Sequence, residues 1–137
     1  MKKFSLIAVL LFSFFWSCSI EDDNEPEFFL EVLPIDSVEI PQEFNYGETY
    51  DLLLTYTRPT FCHTFNNFAE TVSGHERTIA VVNTVYTNLN CAEFSETVTV
   101  NYELSITGTQ TYKFKFYQGK DSEGHDMYYT VEVPVVQ

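Results

Sequence analysis

From Phe28 to the C-terminus, apolar and polar residues alternate with a period of two in one short segment after another, with turn residues between them. That period belongs to a strand, whose successive side chains point to opposite faces. The clearest segment is Thr97 to Ile106, where Val98, Val100, Tyr102, Leu104 and Ile106 alternate with Thr97, Thr99, Asn101, Glu103 and Ser105. One face is core and the other is wet. Tyr112, Phe114 and Phe116 repeat the pattern, as do Tyr129, Val131 and Val133, and Tyr50, Leu52, Leu54 and Tyr56 mark another strand. Arg77 to Tyr86 is apolar on both faces, with Ile79, Val81 and Val85 on one and Ala80, Val82 and Tyr86 on the other, so its facing stays open. Phe28 to Leu33, a continuation from Asp36 to Ile40 beyond Pro34, and a segment near Phe65 to Val72 bring the number to seven or eight. No ten-residue stretch has helical apolar spacing, so the pattern predicts an all-β domain over 28–137. Half-apolar sheets bury their inner faces only against each other, which predicts a two-sheet antiparallel Greek-key sandwich.

The first residues follow a different rule. Met1, Lys2 and Lys3 are followed by an apolar run from Leu6 to Trp16, broken once at Ser13. A bilayer span needs roughly 20 apolar residues, so this is a signal peptide rather than a membrane helix. It ends in Phe15-Trp16-Ser17-Cys18, a small residue before a cysteine. That ending resembles the lipobox of bacterial lipoproteins, in the looser form found in Bacteroidota, and the resemblance implies that a diacylglyceryl group is added to the Cys18 thiol and residues 1–17 are then cut off. Residues 18–27 then form a polar, acidic segment with one Pro, a composition suited to a tether. Nine residues reach about 30 Å when extended. The cluster Glu21, Asp22, Asp23 and Glu25 is similar to the export signal that carries Bacteroidota lipoproteins to the outer face of the outer membrane; the periplasmic face is the alternative.

Charge narrows the partners. The whole chain carries a formal charge of -13, and loss of Lys2 and Lys3 with the signal, while all twenty acidic residues stay, takes the mature chain to -15. Such a field repels nucleic acid and anionic surfaces. With Cys18 committed to lipid, Cys62 and Cys91 remain as a pair in a compartment where disulfides persist. Closing that loop restricts the unfolded chain by roughly 3 to 4 kcal/mol on the entropy model.

Gly108 followed by Tyr112-Lys113-Phe114 resembles the Tyr-x-Cys of the sixth strand of immunoglobulin-like domains, with Phe in the cysteine's place. The resemblance implies a corner tyrosine whose hydroxyl bonds back to the backbone. The chain departs from true immunoglobulin domains in lacking the core Trp and in placing Cys62 and Cys91 in loops. If the strands alternate in direction, the loops holding the two cysteines lie at one pole, and the N-terminus emerges from that same pole.

Candidate chemistry is sparse. Phe61, His63, Phe65 and Phe68 gather beside Cys62, either as a loop that presents rings to a sugar or peptide or as a plug over the sandwich end; the tethered pole favours the plug. Asp121, Glu123 and Asp126 fall between two strands, as oxygen ligands for Ca²⁺ or as an exposed hairpin needing no metal. His63, His75 and His125 are expected in solvent. No nucleophile elbow, phosphate loop or zinc motif occurs, and no cofactor is expected. In layout the chain resembles the small surface lipoproteins of Bacteroidota. That implies a non-catalytic binding or structural domain whose partners are the membrane and an envelope protein or glycan. The alternative is a carbohydrate- or peptide-binding accessory lipoprotein of an uptake or adhesion system, using Phe65, Tyr117 or Tyr128.

Overall fold

In the computed structural model, residues 27–137 are described; the expected signal peptide, Cys18 and the expected tether through residue 26 lie outside them. The described chain is all-β. Its strands are β1 (Phe28–Leu33), β2 (Ile35–Glu39), β3 (Phe44–Asn45), β4 (Thr49–Thr60), β5 (His63–Ser73), β6 (Glu76–Tyr86), β7 (Glu93–Ser105), β8 (Tyr112–Lys120), β9 (Asp126–Val133) and β10 (Val135–Val136). Ten strands replace the seven or eight expected, the additions being β3 and β10. Two residues are too few to show a period.

One sheet runs β5, β6, β8, β9, with β1 also on β6, and the other runs β2, β4, β7. They pack as the two layers of a sandwich. Between them lie Leu52, Leu54 and Tyr56 of β4, Ile79 and Val81 of β6, and Phe114 and Phe116 of β8, all fully buried. Each such side chain contributes about 1.5 to 3 kcal/mol by leaving water. The small β3–β10 ladder closes one end, burying Phe44 edge-on against Tyr112 and Phe114.

β6 explains why its segment is apolar on both faces. β5 occupies one of its edges over residues 76–85, while the other edge is divided, with β8 along 76–79 and β1 along 81–86. A central strand has no wet edge, and Val82 and Thr84 on its outer face are buried along with Ile79, Val81 and Asn83 on the inner one. Where β1 ends, Pro34 has no N–H for the ladder and sends the chain across to pair β2 with β4.

The expectation of purely antiparallel sheets is corrected at two places. β6 and β8 are parallel, from Glu76 opposite Lys113 to Ile79 opposite Phe116, and β10 lies parallel to β3. The reason is the path of the chain: β7, between β6 and β8 in sequence, belongs to the other sheet, so the chain returns to β6 in its starting direction. Lys115 and Lys113 reinforce that seam, with Nζ atoms 2.8 and 3.5 Å from the Glu76 carboxylate.

The corner tyrosine is present in geometry. Tyr112 is buried, and its hydroxyl accepts hydrogen bonds from the backbone N–H groups of Thr107 and Gly108, both at 3.3 Å.

Candidate functional site

The densest polar chemistry lies where β4 turns into β5. Cys62 sits in that turn and Cys91 in the connection between β6 and β7, and they pair as a disulfide with Cα atoms 5.5 Å apart. The bridge therefore ties neighbouring loops at one pole. The N-terminal end of the domain is there too, because the Glu27 carbonyl accepts the Thr87 N–H at 2.9 Å and Phe28 lies opposite Tyr86.

His63, expected in solvent, is instead 6 % exposed. Its ring is held at both nitrogens, with Nε2 2.7 Å from Glu31 Oε2 and Nδ1 2.7 Å from Thr60 Oγ1. A carboxylate only accepts, so Nε2 donates; Nδ1 shares a hydrogen with the Thr60 hydroxyl, whose oxygen accepts the Cys62 N–H at 3.1 Å. β1, β4 and β5 are thus joined through one imidazole. The order hydroxyl, imidazole, carboxylate is also that of a hydrolytic relay. Here, however, the ring is sealed from solvent and the hydroxyl oxygen is occupied by a backbone amide, so the arrangement acts as a cross-strand tie.

The other members of the aromatic segment separate. Phe65 and Phe68 lie on β5, not in a loop, and both pack against the core. Three positions apart, they would face opposite ways in a regular strand. A bulge between Phe65 and Asn67 turns both inward, with their ring centroids 5.1 Å apart. Only Phe61 projects outward, stacked on Phe94 at 4.4 Å and lying 5.7 Å from the Arg58 guanidinium, which also pairs with Glu96. Thr57, Pro59, Thr60, Glu93, Phe94 and Ser95 line a shallow groove of 440 Å³ beside this pair.

At the β8–β9 hairpin, the expected trio Asp121, Glu123 and Asp126 is not brought together. Asp126 is 2.6 Å from Lys120 Nζ. Asp121 and Glu123 converge with His125 instead, the ligand atoms lying within 4.8 Å of one another. Asp121 Oδ1 accepts the N–H groups of His125 at 2.9 Å and Glu123 at 2.8 Å, and these bonds, led by that from His125, hold its carboxyl below the usual range. This is a self-contained Asx turn.

Tyr117 and Tyr128 pair edge-on across β8 and β9 with centroids 6.0 Å apart, while Tyr129 on the opposite face lies over Phe116. Beneath the sheet edge, Asp36, Ser37, Val38, Gln118 and Tyr129 border a recess of 230 Å³. Two buried groups escaped the sequence reading. The Tyr56 hydroxyl donates to Asn83 Oδ1 at 3.0 Å, and the Tyr102 hydroxyl donates to Glu70 Oε1 at 2.6 Å, where Arg77 also binds. Burial, then the hydrogen bond to the Glu70 carboxylate, push the Tyr102 hydroxyl up to about 12 against the opposing pull of Arg77. These partners lie 27 and 32 residues apart, and no local pattern signals such distant pairings. No protein-family model, curated protein or solved structure matches the chain.

Replacing His63 by Ala removes two hydrogen bonds and a buried ring, and is expected to lower stability by about 2 to 3 kcal/mol. Phe61→Ala, at an exposed position, costs at most about 1 kcal/mol. Urea unfolding of the two variants tests this order, and equal losses would remove His63 as the tie. For Tyr102, a raised folded pKa means that stability is complete below pH 10 and falls as pH rises from 10 to about 12. Burial raises the Tyr56 hydroxyl too, so absorbance titration should show more than one tyrosine ionising late, and Tyr102→Phe should remove the latest step and its share of the pH dependence.

Proposed function

We propose that the chain is a lipid-anchored envelope protein, acylated at Cys18, whose β domain is a non-catalytic binding or structural module displayed on the outer face of an outer membrane. The observation that carries this reading is the Cys62–Cys91 pair, because disulfides persist outside the reducing cytoplasm. An exit of the N-terminal end beside that bridge agrees with a short tether leading to a membrane. An immunoglobulin-like layout belongs to the same proposal. The bonding of Tyr112 supports it, whereas the parallel β6–β8 pair departs from that family's pattern. A non-catalytic role is supported by the tying of His63 between Glu31 and Thr60, whose oxygen already accepts the Cys62 N–H.

A second reading, a carbohydrate- or peptide-binding accessory lipoprotein, is favoured by the exposed ring of Tyr128 paired with Tyr117. Phe65 no longer serves it, being packed on the core.

Labelled palmitate is expected to enter the wild-type chain and not Cys18→Ser, and protease added to whole cells should remove the domain. Substituting Ala for Glu21, Asp22, Asp23 and Glu25 together should protect it. An unlabelled wild-type chain would overturn the anchor, and a protected wild-type domain would place it on the periplasmic face. For the second reading, a glycan array probed with the mature chain should give signals that Tyr128→Ala loses; silence from the wild type retires it.

A further inference from the structure

The sandwich has two unlike ends. At the pole away from the disulfide, the connections 46–48, 74–75 and 106–111 and the strand ends beside them hold two exposed large hydrophobic residues, Tyr46 and Val72. At the disulfide pole there are six: Phe28, Phe29 and Leu30 at the start of β1, Phe61 in the β4–β5 turn, Leu89 in the β6–β7 connection, and Phe94 at the start of β7. They are between 41 % and 58 % exposed. The fold holds them together, since the Cys62 carbonyl accepts the Tyr86 N–H at 3.2 Å and Cys62 Sγ lies 3.7 Å from the Leu89 carbonyl oxygen. Apolar residues concentrated on the loop tips of one end signal a surface that leaves water.

What covers this end is indicated by where the chain comes from. Residues 19–27 enter the domain at Phe28, the first of the six, and nine residues hold the pole within about 30 Å of Cys18 at full stretch. We propose that this pole is a lipid-docking surface, whose six side chains settle into the headgroup boundary of the bilayer that holds the chain's own anchor. The proposal rests on the lipid-anchored reading above and adds to it an orientation and a second membrane contact. Charge does not drive it, because Glu27 and Glu93 flank the pole and Arg58, already paired with Glu96, is the nearby cation. Apolar burial does: aromatic and Leu side chains lie a few ångströms into the acyl boundary, and the tether keeps their local concentration high. The opposite pole and the Tyr117–Tyr128 pair remain free for partners.

The only Trp of the sequence, Trp16, lies in the signal, so Phe61→Trp and Tyr46→Trp each place one reporter in the mature chain. Both positions are exposed and accept a larger ring without repacking the core. Mature chain reconstituted in phosphatidylcholine vesicles with brominated acyl chains is expected to show blue-shifted emission at position 61. Quenching there should be at least about threefold stronger than at position 46. The mass of the purified chain reports acylation of Cys18 separately, and a chain without lipid is mixed with the same vesicles. Acylated chain with equal, weak quenching at both positions overturns docking and leaves the anchor standing. Quenching at 61 in a chain without lipid overturns the anchor while docking stands, and no lipid with no quenching overturns both. Blue-shifted but unquenched emission at 61 assigns the pole to a second copy of the chain and overturns the lipid contact.

Discussion

A strand offers one row of backbone donors and acceptors along each edge, and in this domain β6 divides its second row between two neighbours. Much else follows from that division. β1 takes the half from Val81 to Tyr86 and must leave the sheet where β8 begins, so the chain crosses at Pro34 into the other layer. β8 takes the half from Glu76 to Ile79 and arrives parallel, because β7 has meanwhile crossed to that layer. The strand at the centre is covered on both faces and bonded on both edges, which accounts for its apolar character throughout.

At the pole, the same arrangement sets β1 and β5 on opposite edges of β6. Glu31 of β1 meets His63 of β5, and Thr60 of β4 completes the tie. The disulfide closes the loops around it, so the end of the sandwich is secured by a covalent bond and a polar chain together. Such a rigid end can carry apolar side chains outward without collapsing onto them. Phe61 is the clearest instance, stacked on Phe94 yet half in solvent.

Legibility followed the range of the interactions. Period-two alternation reported β7 and β8 well, because each has one face against the core and one in water: Tyr102 and Leu104 are buried while Asn101 and Glu103 are exposed. The Cys62–Cys91 pairing was readable from counting and from an expected export out of the cytoplasm. The shared inward facing of Phe65 and Phe68 was not legible, since a bulge shifts the phase of β5 and only a neighbouring strand can define a bulge. His63 misled for a similar reason, its carboxylate partner being 32 residues away on β1.

By itself, the sequence determined the class of the fold, most of its strands and the cysteine pair, all of which are written in local periodicity and residue type. Tertiary structure alone decided the parallel seam between β6 and β8, the crossing at Pro34, the burial of His63 and the gathering of Phe28, Phe61, Leu89 and Phe94 at one end. The physical reason is that strand order and edge sharing depend on which distant backbone rows find each other, and side-chain alternation is the same whichever neighbour a strand takes.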